Sequence, residues 1–192
     1  MSLTARAVMA MVLTVLVTGC GSDDLHPNST PFATSESAEP ARDLVDIPGQ
    51  FPQPATMTES GGADAPVGGC VNVSGTPARA VLDVADCMTP LATYRVIQRV
   101  LTPDQCVADA DRPFYFRDAY AQWTACLDLN WDSTYCIDVG AVTTKVACED
   151  PAATRKLKPA SVLLDTTTTD DCSEGGYPHP LRRFTICTEA RS

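Results

Sequence analysis

The chain has 192 residues, 24 acidic and 14 basic side chains, and a formal net charge of −10. That balance excludes the basic footprint of a nucleic-acid binder, and the length allows one domain or two small ones. Nine cysteines against two histidines point to a disulfide framework with one thiol left over.

The first nineteen residues, MSLTARAVMAMVLTVLVTG, hold one charge, Arg6, followed by an uncharged run from Ala7 to Val17. A short basic start, an apolar stretch and small residues before a cut site form an export signal. The stretch is too short for a permanent membrane span, which needs about 20 apolar residues. Val17-Thr18-Gly19-Cys20 resembles the bacterial lipobox, whose cysteine takes a diacylglycerol thioether. Residues 1–19 are then a lipoprotein signal, and Cys20 is the lipidation site. The competing reading is an ordinary secretory signal with Cys20 as a stray thiol. Because two or more acyl chains hold stably where one does not, the mature chain is expected on the outer face of the cytoplasmic membrane, lipid-anchored and not spanning it.

Residues 20–66 carry eight acids, one base (Arg42) and no apolar periodicity, with seven prolines among residues 21–66. This composition reads as a disordered stalk, spanning roughly 40 Å as a flexible coil. Thr30-Pro31, Thr56 and Thr58 could carry O-linked sugars in a host able to add them; a bare polar linker is the alternative.

The remaining eight cysteines fall into two sets of four with matching flanks. GGCVNVSG at Cys70 matches TYCIDVGA at Cys136, and VADCMTPLATYRV at Cys87 matches KVACEDPAATRKL at Cys148. TPDQC at Cys106 matches TTDDC at Cys172, and WTACL at Cys126 matches FTICT at Cys187. The offsets between twins are 66, 61, 66 and 61 residues. This is an internal duplication, giving modules at 67–130 and 131–192. A module of about 60 residues buries little surface, and two disulfides of about 3 kcal/mol each compensate. If duplication preserved pairing, the bonds are Cys70–Cys87, Cys106–Cys126, Cys136–Cys148 and Cys172–Cys187; a cross-link such as Cys126–Cys136 competes.

The expected fold is mainly β: two tandem disulfide-stapled modules, each a small sheet or half-barrel with at most one short helix. In the first, strands are read at Gly69–Val73, Ala80–Cys87, Thr93–Leu101 (a broken alternation), Phe114–Phe116 and Trp123–Leu127. Thr102-Pro103 opens a short helix. In the second, strands are read at Tyr135–Val139, Thr144–Cys148, Ser161–Asp165 and Phe184–Thr188, with a Thr/Asp turn before Cys172.

The lipobox, GGCVNVSGT, ATYRV, TPDQC, the Cys126–Trp131 segment CLDLNW and RRFTICTE (Arg182–Glu189) together resemble the LppU-type lipoproteins of actinobacteria. The resemblance covers roughly residues 67–190. The cysteine pattern is more distantly similar to septum-formation-type modules. The resemblance implies a membrane-anchored cell-envelope lipoprotein and carries over no catalytic residues.

Nothing in the sequence assembles an active site, a cofactor or a metal site. His179 lies in Tyr177-Pro178-His179-Pro180, a stiff turn expected to present its ring to solvent. No cysteine pair has redox spacing, and those spacings also disfavour a zinc site. Arg155, Lys156, Lys158, Arg182 and Arg183 could share a face for an anionic lipid or wall polymer; a charged strand edge that blocks sheet pairing is the plainer reading. Phe114, Tyr115, Phe116, Tyr120, Trp123 and Trp131 are expected mostly in the core and the seam between modules, with any remainder a partner surface. The functional expectation is a non-enzymatic binding module for another envelope protein, lipid or wall polymer. The alternative is a lipid or small-ligand carrier with an apolar cavity in or between the modules.

Overall fold

Five antiparallel strands form the first sheet: β1 (Cys70–Thr76), β2 (Arg79–Ala85), β3 (Tyr94–Val100), β4 (Arg112–Arg117) and β5 (Gln122–Leu129), in the order β2-β1-β3-β5-β4. The second contains β6 (Cys136–Val139), β7 (Thr143–Val146), β8 (Lys156–Leu164), β9 (Gly176–His179) and β10 (Phe184–Arg191), in the order β7-β6-β8-β10-β9. The two orders are the same path repeated. This computed structural model describes Leu44 and residues 46–76 and 78–192. The signal, Cys20, His26, Thr30 and Pro31 lie outside the described residues.

The repeat extends to an irregularity. In β3 the register passes from Val96↔Leu127 to Gln98↔Cys126, leaving Ile97 as the extra residue of a bulge. In β8 it passes from Pro159↔Thr188 to Ser161↔Cys187, leaving Ala160. Counted from the twin cysteines Cys126 and Cys187, the two bulges coincide. The bulge is why the alternation in Thr93–Leu101 reads as broken: it puts consecutive residues of β3 out of phase, and every residue of the strand is buried. The second module departs from expectation twice: β8 begins at Lys156 rather than Ser161, and Gly176–His179 is a strand. Pro103–Gln105 forms a single 3-10 turn, with Gln105 Oε1 accepting the N–H of Thr102 at 3.1 Å.

All eight cysteines of the modules are paired, as Cys70–Cys87, Cys106–Cys126, Cys136–Cys148 and Cys172–Cys187. Each bond stays within its module. The modules nevertheless share one core. A single apolar cluster contains Val71, Tyr94, Val96, Trp123, Leu127 and Leu129 from the first sheet and Ile137, Phe184 and Ile186 from the second, with Trp131 between them.

The stalk ends earlier than residue 66. Ile47 and Ala65 are buried in the shared core, and residues 54–69 run along β3. The N–H of Arg99 donates to Ala55 O and the N–H of Met57 to Arg99 O, both at 2.8 Å. The Arg99 guanidinium donates to Thr58 O and Ala65 O, and Gly68 and Gly69 pair with Val96. The reason lies in the sheet: β1 covers only Tyr94 and Arg95 of β3. The rest of that strand edge needs partners, and the preceding segment supplies them. Gly61, at φ +74°, lies flat against the Trp123 indole, where a Cβ would collide with the ring. In the second module β6 covers only Lys156 and Leu157 of β8, and among the described residues no strap lies along Ser161–Leu164. Those residues are only partly buried where β3 is fully so.

Candidate functional site

Five polar side chains converge where the two modules meet. Asp109 and Asp111 lie on the stretch that leads from Cys106 to β4, which the Cys106–Cys126 disulfide holds against β5. Asp128 stands on β5 between Leu127 and Leu129. His179 ends β9, and Arg182 sits in the turn to β10.

Arg182 is the hub. Its Nε donates to Asp109 Oδ1 at 2.8 Å; Nη1 donates to Asp128 Oδ2 at 2.6 Å and Gln50 O at 2.9 Å. Nη2 lies 3.1 Å from Asp128 Oδ1, 2.8 Å from Asp109 O and 2.8 Å from His179 Nδ1. The guanidinium also stacks over the Phe184 ring. Asp109 Oδ2 in turn accepts the backbone N–H groups of Leu181 and Arg182. Burial alone would raise the Asp109 pKa, but the hydrogen bonds and charge of Arg182 outweigh it and hold the carboxyl below the usual range. Burial likewise opposes the charge on Arg182, and Asp128 and Asp109 outweigh it, raising its pKa.

Two groups at this site are poorly compensated. Asp111 Oδ2 accepts the Leu129 N–H at 2.7 Å. Burial of its carboxyl and the neighbouring Asp128 charge push its pKa up to about 6. Nε2 of His179 is buried with no hydrogen-bond partner among the described residues. A folded-state pKa above the unfolded value means that ionising Asp111 costs stability. Its contribution is fully present below pH 3.8 and is lost as pH rises through about 6. Asp111→Asn keeps the acceptor for Leu129 and removes that cost. In metal-free buffer it should stabilise the protein at pH 7.5 by about 1 kcal/mol, less than the bare shift implies because the residue as a whole is exposed and solvent screens it. Urea unfolding at two pH values checks this: the gain should vanish at pH 3.5, and a gain equal at both would mean the charge is not its source.

The five cations read from the sequence do not form a face. Arg182 and Lys156 are buried, Arg182 in the network above and Lys156 with Nζ on Asp150 O at 3.1 Å. Lys156 pairs with Arg191 at one end of the β8–β10 ladder, whereas Arg182 and Arg183 precede its other end at Phe184↔Leu164. Arg155 and Arg183 are exposed and Lys158 is half-buried. His179 is 1% exposed, not turned to solvent, because its ring packs on Phe184 with centroids 4.4 Å apart. Among the aromatic residues, Phe114, Trp123 and Trp131 are buried and Phe116 stacks on Trp123. Tyr115 and Tyr120 are exposed. An open groove of about 260 Å³ lies over this cluster, lined by Val81, Leu82, Phe114, Phe116 and Trp123. That is below the roughly 300 Å³ at which small-molecule sites begin.

Sequence reasoning passed over Asp109, Asp111 and Asp128. The repeat held a signal for two of them. By strand register Asp111 corresponds to Glu174, and each accepts the backbone N–H of a twin residue, Leu129 and Ala190. Asp128 corresponds to Glu189 and Arg182 to Ala121. An acid that recurs at the same place in both halves is the signal for Asp111 and Asp128, and the guanidinium that pairs with Asp128 at the seam occurs in one half alone. Compared with models of protein families, with curated proteins and with solved structures, the chain has no match.

Proposed function

We propose that the chain is an exported, lipid-anchored lipoprotein of the LppU type. Its folded part is a non-enzymatic binding module for another cell-envelope component, on the outer face of the cytoplasmic membrane. The observation that carries this reading is the cysteine arithmetic. Eight of nine cysteines are consumed in four bonds, which suits an oxidising compartment. The ninth, Cys20, stands at the one position where a lipobox requires a thiol. A lipid on Cys20 would supply the membrane attachment. One apolar core shared by both sheets suits a binding surface. The groove over Trp123 is small for a lipid, and a larger open groove of about 490 Å³ between β1 and residues 141–144 is lined in good part by polar residues such as Asn72, Ser74, Arg112 and Thr144.

Producing cells grown with an alkyne-bearing fatty acid should yield a labelled, membrane-associated protein. Cys20→Ser should abolish the label and move the protein to the soluble extracytoplasmic fraction. Labelling that persists in Cys20→Ser would overturn the anchor.

A further inference from the structure

We propose that Asp111, Asp128 and His179 form a binding site for a divalent transition-metal ion of the Zn²⁺ type at the seam between the modules. One carboxylate oxygen from each aspartate and one ring nitrogen of His179 lie within 4.8 Å of one another. Independently, His179 Nε2 is fully buried and lacks a partner among the described residues. A buried nitrogen of this kind is costly whether it carries a proton or a lone pair.

The hydrogen count around Arg182 indicates which state a cation would select. Nη2 has two protons and three acceptors within reach: Asp109 O, Asp128 Oδ1 and His179 Nδ1. With the imidazole proton on Nδ1, His179 donates to Asp109 O at 3.0 Å. The two Nη2 protons then go to Asp109 O and Asp128 Oδ1, and the 2.8 Å contact between Nη2 and Nδ1 sets two donors together, which a cation on Nε2 has to offset. With Nδ1 accepting from Nη2 instead, the proton sits on Nε2. The first tautomer leaves a lone pair on Nε2. A ring proton directed to a backbone carbonyl is the usual support for a histidine that binds metal through its other nitrogen.

The charge count also admits a cation beside Arg182. Asp109, Asp111 and Asp128 bring three negative charges when ionised and Arg182 one positive. The net of −2 matches a divalent ion. Arg182 spends its donors on Asp109 and Asp128, and among the described residues no ion pair reaches Asp111. Two carboxylates and an imidazole suit Zn²⁺, with Mn²⁺ bound less tightly by the ordinary order of affinities. Ligands about 2.1 Å from a tetrahedral ion lie closer together than 4.8 Å, so the site must tighten. Asp111, the exposed member, is the one free to move, and its open side leaves room for water.

The test uses the full chain without a histidine tag, stripped with chelator and dialysed against Zn²⁺, Mn²⁺ or Ca²⁺ separately. Bound metal is measured by elemental mass spectrometry and stability by thermal unfolding. The wild type should bind about one Zn²⁺ at this site and unfold at higher temperature with it. Asp111→Asn should weaken that binding about tenfold or more and remove the thermal shift. Thermal unfolding of metal-free Asp111→Asn, cooperative as in the wild type, separates loss of the site from loss of the fold. His179→Phe, which places the phenylalanine that the first module carries at the equivalent register position, Phe116, should lose binding as well. Absence of Zn²⁺ binding in the wild type, equal binding in Asp111→Asn, or Ca²⁺ held more tightly than Zn²⁺ would each overturn the proposal. It does not depend on the lipid anchor.

Discussion

Arg182→Met should destabilise the protein by about 3–5 kcal/mol at pH 7.5, the range for removing one partner from a buried ion pair. Two carboxylates lose their counter-charge together. Asp109 keeps the backbone N–H groups of Leu181 and Arg182, but Asp128 loses both guanidinium bonds while its side chain stays 4% exposed. Gln50 O and Asp109 O lose donors in the same step. Methionine fills most of the volume, so a large loss would reflect charge rather than a cavity. Acid separates the two. In the wild type Arg182 holds the Asp109 pKa below its ordinary value, so the stability it lends is present at neutral pH and lost as pH falls through that lowered pKa. In the variant Asp109 is freed from that lowering while burial still opposes its charge, so the deficit should shrink between pH 7.5 and 4.5. Arg182→Lys should recover little, because an ammonium cannot bridge two carboxylates with a planar fork. Urea unfolding of the three proteins at both pH values measures this. A loss under about 1 kcal/mol would mean that the network is no more than a surface ion pair.

Replacing Cys106 and Cys126 together by alanine should cost about 3 kcal/mol from the unfolded chain alone, given a 20-residue separation. It should cost more than any of the other three disulfides. Loop length does not set this order, since Cys70–Cys87 spans 17 residues and Cys172–Cys187 spans 15, and the closure term changes only slowly with length. Burial does not set it either, since Cys70 and Cys136 are as buried as Cys126. Position sets it. The bond fixes the stretch that carries Asp109 and Asp111 against the strand that carries Asp128. Losing it should therefore loosen the Arg182 network too, and Arg182→Met should cost less in that background than alone. Equal costs for all four disulfides, with full additivity to Arg182→Met, would show that Cys106–Cys126 has no part in holding the seam.

Local features carried the parts of the fold that the sequence made legible. The strands around the twin cysteines are short alternating runs bounded by turn residues, and duplication repeats such runs intact. Even the bulge left a trace, as the interrupted alternation from Thr93 to Leu101. The strand at Gly176–His179 was missed because GYPH carries glycine, proline and histidine, and its place comes from pairing with β10 rather than from propensity. Residues 46–66 resemble a stalk in sequence because they are polar and lack periodicity. They are ordered because β3 has an uncovered edge, a property of another part of the chain.

The amino-acid sequence by itself determined the β class, the doubling of the module and a cysteine pairing that respects it: each strand is a short local run, the disulfides join cysteines no more than 20 residues apart, and the doubling shows when one half of the chain is laid on the other. The tertiary structure alone decided what the charged residues do. Arg182 looks like a surface cation beside Arg183, yet it is buried with Asp128 and Asp109, 54 and 73 residues away. His179 looks like an exposed turn residue, yet Phe184 and Arg182 enclose it. A charge becomes buried only when its partner arrives to offset desolvation. That arrival depends on how two sheets meet, which no local pattern encodes.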